Sequence, residues 1–221
     1  MDNFDQFARD YKTILDSTLT VGGYRHDYFC EYKAEYIVRC VVRGFTGKIL
    51  DYGCGVGLLS ESLVKRFPQA RVDGFDVSIG SIKHVPLSLK QQGFFTSDIN
   101  TLQSEYDLII VANVLHHVEP PQRAAVISKL KSLLTPTGKI IIFEHNPLNP
   151  LTRKIVRESL LDKGVVLLPS METVSYVRNE GLYKQLDYIV FFPKFLSVLR
   201  WVEPFLRWCP LGAQYVVVGN L

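Results

Sequence analysis

The chain predicts an α/β fold: a three-layer sandwich in which helices cover both faces of a seven-stranded, mostly parallel sheet. Three observations carry that expectation. From residue 49 onward, short apolar runs of strand length alternate with amphipathic helical stretches, the pattern that leads to parallel pairing through helical crossovers. The run 106–112 (Tyr-Asp-Leu-Ile-Ile-Val-Ala) is almost wholly apolar, as a strand buried on both faces must be. The stretch Ile49-Leu50-Asp51-Tyr52-Gly53-Cys54-Gly55-Val56-Gly57 closes a strand with an acidic residue and then places three glycines at alternate positions before a helix. Glycine supplies φ angles that a Cβ disfavours and lets a ligand approach bare backbone, while the free N–H groups of the following helix start point to the same place.

The elements follow in order. An apolar 3–4 stripe (Phe4, Phe7, Tyr11, Ile14, Leu15) predicts an N-terminal amphipathic helix, joined through Gly22-Gly23 to a helix over 28–43. Strands are expected near 49–52, 71–75, 93–96, 106–112 and 139–144. Helices are expected over 58–67, 78–89 (disturbed by Pro86) and 121–134. Residues 135–138 read as a turn. Asp107 starts the fourth strand, at the end away from the ligand, and is read as structural. Further on come a helix over 151–161, one capped by Ser170 and closed by Gly181, and strands over 186–192 and 214–218. Between those last strands, residues 193–208 are dense in large apolar side chains, with Ser197, Arg200, Glu203 and Arg207 on one narrow face. Pro204 is expected to break this stretch into two short helices. So broad an apolar surface is expected to be buried, in the core, against an acceptor, against another copy or in a membrane surface.

Composition limits the function classes. The chain has 221 residues, 47% of them hydrophobic, which suits a single α/β domain. A net charge of +3 gives no electrostatic footprint for nucleic acid. Cys30, Cys40, Cys54 and Cys209 are widely spaced, which points to reduced thiols rather than a disulfide framework or a zinc site. The polar, acidic start does not read as a signal peptide, and no apolar run reaches the ~18 residues of a membrane span. A cytoplasmic protein is expected, with the apolar segment allowing association at the inner face of a membrane. No metal is expected, since His145 and the His116-His117 pair match no zinc spacing.

The loop departs from the G-x-G-x-x-G of dinucleotide sites, and the carboxylate of Asp51 would repel a pyrophosphate while suiting a cationic amino or sulfonium group. It resembles motif I of the class I S-adenosylmethionine-dependent methyltransferases, (D/E)-x-G-x-G-x-G, at Asp51, Gly53, Gly55 and Gly57. The resemblance covers roughly residues 45–144. It implies a Rossmann-like fold with an antiparallel last strand and S-adenosylmethionine as methyl donor. Asp76, at the end of the second strand, can accept bonds from both ribose hydroxyls, and the alternative for it is a helix cap. By resemblance Asp98 meets the adenine amino group, Ile99 packs on the ring and Tyr11 touches the methionine part. The implied donor set is Tyr11, Asp51, Gly53, Cys54, Gly55, Gly57, Asp76, Val77, Ser78, Asp98, Ile99 and Asn113.

Residues 113–118 resemble the family's motif IV region, with His117 at the recurring histidine and His116 at a variable position. Either ring could deprotonate an acceptor near neutral pH, and the alternative is that they buttress the loop. Glu144, His145 and Asn146 could line an acceptor pocket. The resulting expectation is direct in-line methyl transfer to an unidentified small or lipid-like acceptor. A non-catalytic nucleotide-binding module and an NAD(P)-dependent oxidoreductase are the alternatives. Residues 1–44 would form a helical cap over the donor. Residues 45–221 would form the core, with an apolar helical insertion at about 193–210. Nothing in the sequence fixes the oligomeric state.

Overall fold

The computed structural model describes residues 13–15, 26–103, 105–192 and 194–221. Its sheet has seven strands: β1 (Lys48–Tyr52), β2 (Arg71–Phe75), β3 (Phe95–Thr96), β4 (Tyr106–Ala112), β5 (Leu134–His145), β6 (Tyr183–Ile189) and β7 (Gln214–Asn220), in the order β3-β2-β1-β4-β5-β7-β6. Strands β1 to β5 pair in parallel, and β7 lies antiparallel between β5 and β6. The helices are α1 (His26–Cys40), α2 (Leu58–Arg66), α3 (Ile79–His84), α4 (Leu87–Lys90), α5 (Arg123–Ser132), α6 (Pro150–Glu158), α7 (Ser170–Asn179) and α8 (Glu203–Leu206).

The period-two geometry of a strand divides the apolar runs between two cores. Leu50, Ile109, Val111, Ile140, Ile142 and Val217 face one side and pack with Ile127 and Leu130 of α5 and Val174 and Val177 of α7. Ile49, Leu108, Ile110, Ile141, Phe143 and Val216 face the other and pack with Tyr36 and Ile37 of α1 and Leu59 and Leu63 of α2. The three layers follow from central strands that carry apolar side chains on both faces. The chain runs outward from β1 to β3 and then returns to β4 beside β1, so the crevice for a ligand opens at the carboxyl ends of β1 and β4.

Several local expectations are corrected. The helix expected over 78–89 is split into α3 and α4 around Val85-Pro86, with the Ser78 hydroxyl accepting from Ser81 N as its cap. The turn at 135–138 lies within β5 as an irregularity: Tyr106 pairs with Leu134 but Leu108 pairs with Lys139, so the extra residues bulge out of the ladder. Ser170 is the first residue of α7 rather than its cap, and its hydroxyl instead meets Tyr188 Oη at 2.7 Å. Pro204 lies in the first turn of α8, where its missing N–H costs nothing, and a 3₁₀ segment, Lys194–Val202, precedes it.

The largest departure concerns the apolar insertion. Val198, Trp201, Phe205 and Trp208 are 76%, 73%, 71% and 77% exposed, against the expectation of burial. Glu203, its buried acidic residue, is what ties the segment down, accepting from Tyr32 Oη at 2.8 Å and from Phe191 N at 3.1 Å. No helix among the described residues is long and apolar enough to cross a membrane.

Candidate active site

A cavity of about 560 Å³ opens at the strand ends that the topology singles out. The glycine loop forms one wall. Gly53, Gly55 and Gly57 have φ of +78°, +54° and +88°, so the alternation read from the sequence is a run of backbone conformations that side chains resist. A Cβ on Gly53 would also collide with Val114 Cγ2. The Phe75 carbonyl accepts from Gly53 N and Cys54 N at 2.7 and 3.0 Å, which holds the loop against the end of β2. Asp76 braces it further: one carboxylate oxygen accepts from Gly55 N at 2.8 Å and the other from Ser78 N at 2.9 Å.

Asp51 lies buried at the end of β1, accepting from Ser60 Oγ at 2.6 Å. Burial pushes its carboxyl up to about 6, against the opposing pull of Ser60 and Lys33. Lys33 of α1 lines the same cavity, and burial draws its amine below the ordinary lysine range. Asn113 leaves β4 with φ +59° and its amide oxygen is buried with no hydrogen-bond partner. A buried acceptor left unpaired costs about 1–3 kcal/mol, so this atom marks a place where a ligand donor belongs.

The other end of the cavity is built on the 3₁₀ turn Leu115–His117. Glu144, wholly buried at the end of β5, receives Val114 N and Leu115 N on one oxygen (3.0 and 2.7 Å) and His116 Nδ1 on the other (2.6 Å). His116 Nε2 lies 3.3 Å from Asp162 Oδ1, and His117 Nε2 lies 3.4 Å from the same oxygen. Burial alone would lower the His116 pKa, but Glu144 and Asp162 outweigh it and raise it to about 9. Asp162 is held well below the usual carboxylate range because hydrogen bonds from His116 and His117 outweigh burial. His145 is drawn down to about 4, first by burial and then by the charge on His116, so it is a neutral ring in the cavity wall. Arg123 locks this end: Nε donates to the Leu115 and Val118 carbonyls and Nη2 to the Val166 carbonyl, while Val166 N donates to the His116 carbonyl.

Of the residues expected around a donor, Asp51, Gly53, Cys54, Gly55, Asp76, Val77 and Asn113 line the cavity. Gly57 and Ser78 do not: they form the starts of α2 and α3. Asp98 and Ile99 lie just after β3, outside the cavity wall. Asp98 is exposed and accepts from Asn100 N at 2.9 Å, and Ile99 packs on the core. Tyr11 lies outside the described residues, although Leu15 of the same stripe lines the cavity with His26, Phe29, Cys30 and Lys33. Both histidines line it, with His116 Nδ1 against Glu144 at 2.6 Å and its Nε2 at 3.3 Å from Asp162 Oδ1. Sequence reasoning missed Lys33 and Asp162. Lys33 reads as one more charge on an amphipathic helix, and Asp162 sits in a segment without pattern, 46 residues from the histidine it meets.

Residues 49–138 match the family described as "Methyltransferase domain". A ubiquinone biosynthesis O-methyltransferase from Aeromonas salmonicida is 32% identical over 110 residues, covering 46% of this chain and 44% of that protein. A malonyl-[acyl-carrier protein] O-methyltransferase from Ilyobacter polytropus is 29% identical over 145 residues, covering 63% and 52%. The chain thus spans about half the length of these curated relatives. Among solved structures, the magnesium protoporphyrin IX methyltransferase from Synechocystis with bound SAH superposes with a TM-score of 0.69 at 18% identity, covering 99% of this chain and 96% of that one. An Archaeoglobus fulgidus SAM-dependent methyltransferase gives 0.69 at 13% identity, covering 89% and 95%. At these identities the structural likeness speaks for the fold, while the sequence match rests on the segment that carries the glycine loop. Residues 49–138 thus resemble a methyltransferase domain in sequence, and the strand order of the whole chain is that of the class I S-adenosylmethionine-dependent methyltransferase fold.

Proposed function

We propose that the chain transfers the sulfonium methyl group of S-adenosylmethionine to a small or lipid-like acceptor. The observation that carries this reading is one cavity whose glycine-loop end holds Asp51, Asp76 and the unpartnered Asn113 amide oxygen, and whose other end holds His117 and Asp162. When bound, the donor supplies an electrophilic methyl group on sulfur, so the protein needs no covalent nucleophile. Asp76 takes the ribose hydroxyls. Asp51 and Lys33, of opposite charge on one wall, suit the ammonium and carboxylate of the donor's amino-acid tail. Asp98 and Ile99, at the neighbouring strand end, serve the adenine, with Gly57 and Ser78 supporting the loop from behind.

Leu15 and the cavity-facing side of α1 close the donor end, which supports the reading of the N-terminal region as a cap. Tyr11 would complete it. At the far end His116, His117 and Asp162 form one cluster facing the acceptor space and together serve to activate the acceptor. Aligning acceptor and methyl group supplies most of the acceleration. The test is calorimetric titration with S-adenosylmethionine, S-adenosylhomocysteine (SAH) and NAD(P), followed by an acceptor screen with labelled methyl donor. Binding of the first two and not of NAD(P) is expected. Tight NAD(P) binding without SAH binding would sink the reading in favour of an oxidoreductase, and donor binding without any transfer would favour a non-catalytic module.

A specific observation favours work at a cytoplasmic membrane face. Trp201, Phe205, Trp208 and Leu211 are exposed, and the chain at Leu211 meets the start of α6, where Asn149 Nδ2 donates to the Leu211 carbonyl at 2.7 Å. Helix α6 exposes Arg153, Lys154 and Arg157. Exposed aromatic side chains and an exposed basic helix joined through Leu211 suit an anionic lipid surface. Because no described residue of 194–212 lines the cavity, this segment is proposed to bring the enzyme to a lipid-like acceptor rather than to wall the acceptor pocket. Vesicles containing phosphatidylglycerol should carry the protein upward on flotation, and W201S/F205S should stay behind. Equal flotation of both proteins, or of neither, would remove the membrane role.

A further inference from the structure

We infer that His116 Nε2, His117 Nε2 and Asp162 Oδ1 form a binding site for a divalent cation of the zinc type at the acceptor end of the cavity. One ligand atom from each of His116, His117 and Asp162 lies within 4.8 Å of the other two, and both histidine Nε2 atoms approach Asp162 Oδ1. The two Nε2···Oδ1 separations, 3.3 and 3.4 Å, are longer than the roughly 2.7–2.9 Å of a charge-assisted N–H···O bond. They match instead the edge of a tetrahedron around zinc, which for bonds of about 2.1 Å is about 3.4 Å. The opposite side of His116 behaves differently: Nδ1 meets Glu144 at 2.6 Å. A proton shared tightly on one nitrogen and a loose approach on the other is the arrangement of a carboxylate-oriented metal histidine.

The surroundings support the same assignment. Glu144 is fixed by Val114 N and Leu115 N, so the carboxylate that sets the His116 tautomer is itself immobile. A cation entering between His116 Nε2 and Asp162 would take the place of the Nε2 proton, leaving the Nδ1 proton bonded to Glu144 and turning the Nε2 lone pair to the ion. Asp162 is delivered by a segment that Arg123 and the Val166–His116 backbone bond clamp to the histidine turn. Two imidazoles and one carboxylate are ligands that zinc and its neighbours accept. All three residues line the cavity, so a fourth position would face the acceptor space, as an open catalytic-type site requires. If the methyl-transfer reading holds, on which this consequence rests, the acceptor is one that presents an oxygen able to enter that fourth position.

The test uses the full chain, stripped with a chelator and dialysed. Zn²⁺ is titrated by calorimetry and Co²⁺ by its visible ligand-field bands, with SAH titrated separately. One equivalent of cation is expected, with the cobalt spectrum of a low-coordinate site. D162N and H117Q should each weaken Zn²⁺ at least tenfold. E144Q should weaken it 10–100-fold without touching a ligand, because the glutamine amide would donate to Nδ1 and drive the ring proton onto Nε2. H84Q, at an exposed histidine, should leave binding unchanged. Circular dichroism checks that each variant is folded, and should E144Q fail that check, D162N and H117Q carry the test. Absence of zinc binding, or zinc binding indifferent to D162N and H117Q, would overturn the site. Intact SAH binding in that case leaves the methyltransferase reading standing, whereas zinc binding without SAH binding would do the reverse.

Discussion

Glu144→Ala should lower the stability of the protein by roughly 3–5 kcal/mol, the loss expected when one partner of a buried ion pair is removed. Three donors lose their acceptor at once: Val114 N, Leu115 N and the His116 ring. Glu144 is wholly buried, and Leu115 N and the His116 ring are buried with it. For a domain of this size the change corresponds to a fall in Tm on the order of 10 °C. The histidine would also lose the carboxylate that holds its pKa up, since burial alone acts to lower it. Calorimetric unfolding of both proteins measures the difference. A change below about 1 kcal/mol would mean that Glu144 and His116 do not hold this turn together.

Asp76→Ala should weaken S-adenosylmethionine and SAH alike, at least tenfold. Two effects add. The ribose hydroxyls lose charge-assisted bonds, a loss of roughly 1.5–3 kcal/mol. The glycine loop loses its brace, because Gly55 N and Ser78 N both donate to this carboxylate. Neither effect distinguishes the methylated from the demethylated ligand, so this is uniform binding, and the ratio of the two affinities should stay constant. Paired titrations of a variant with unchanged circular dichroism test it. Unaltered affinity for both ligands would remove Asp76 from the donor site.

The places where sequence reading succeeds and fails divide along physical lines. Strands β2 and β4 fall on the residues expected; in β4 the apolar run from Leu108 to Ala112 leaves few other solutions. The positive φ of Gly53, Gly55 and Gly57 was legible because glycine at alternate positions has few other uses. Ser170 and residues 135–138 misled because local capping and turn preferences are weak terms that pairing with Tyr188 and with β4 outweighs. The apolar insertion misled for a different reason. Apolar density says that a surface favours burial but not that this chain provides the partner, and here Trp201, Phe205 and Trp208 remain exposed.

By itself the sequence determined the layer architecture, the strand ends that carry Asp51, Asp76 and Asp98, and the glycine loop between β1 and α2. Each depends on residues close together in the chain, where periodicity, glycine chemistry and strand termini act locally. Only the tertiary structure decided which histidine is locked and what locks it. Glu144 and Asp162 reach His116 from 28 and 46 residues away. Lys33 likewise reaches the cavity only because α1 packs over the sheet beside Asp51. Long-range placement of charge in a buried site leaves no periodic trace in the sequence, because a single aspartate in an irregular segment looks the same whether it faces water or a pair of histidines.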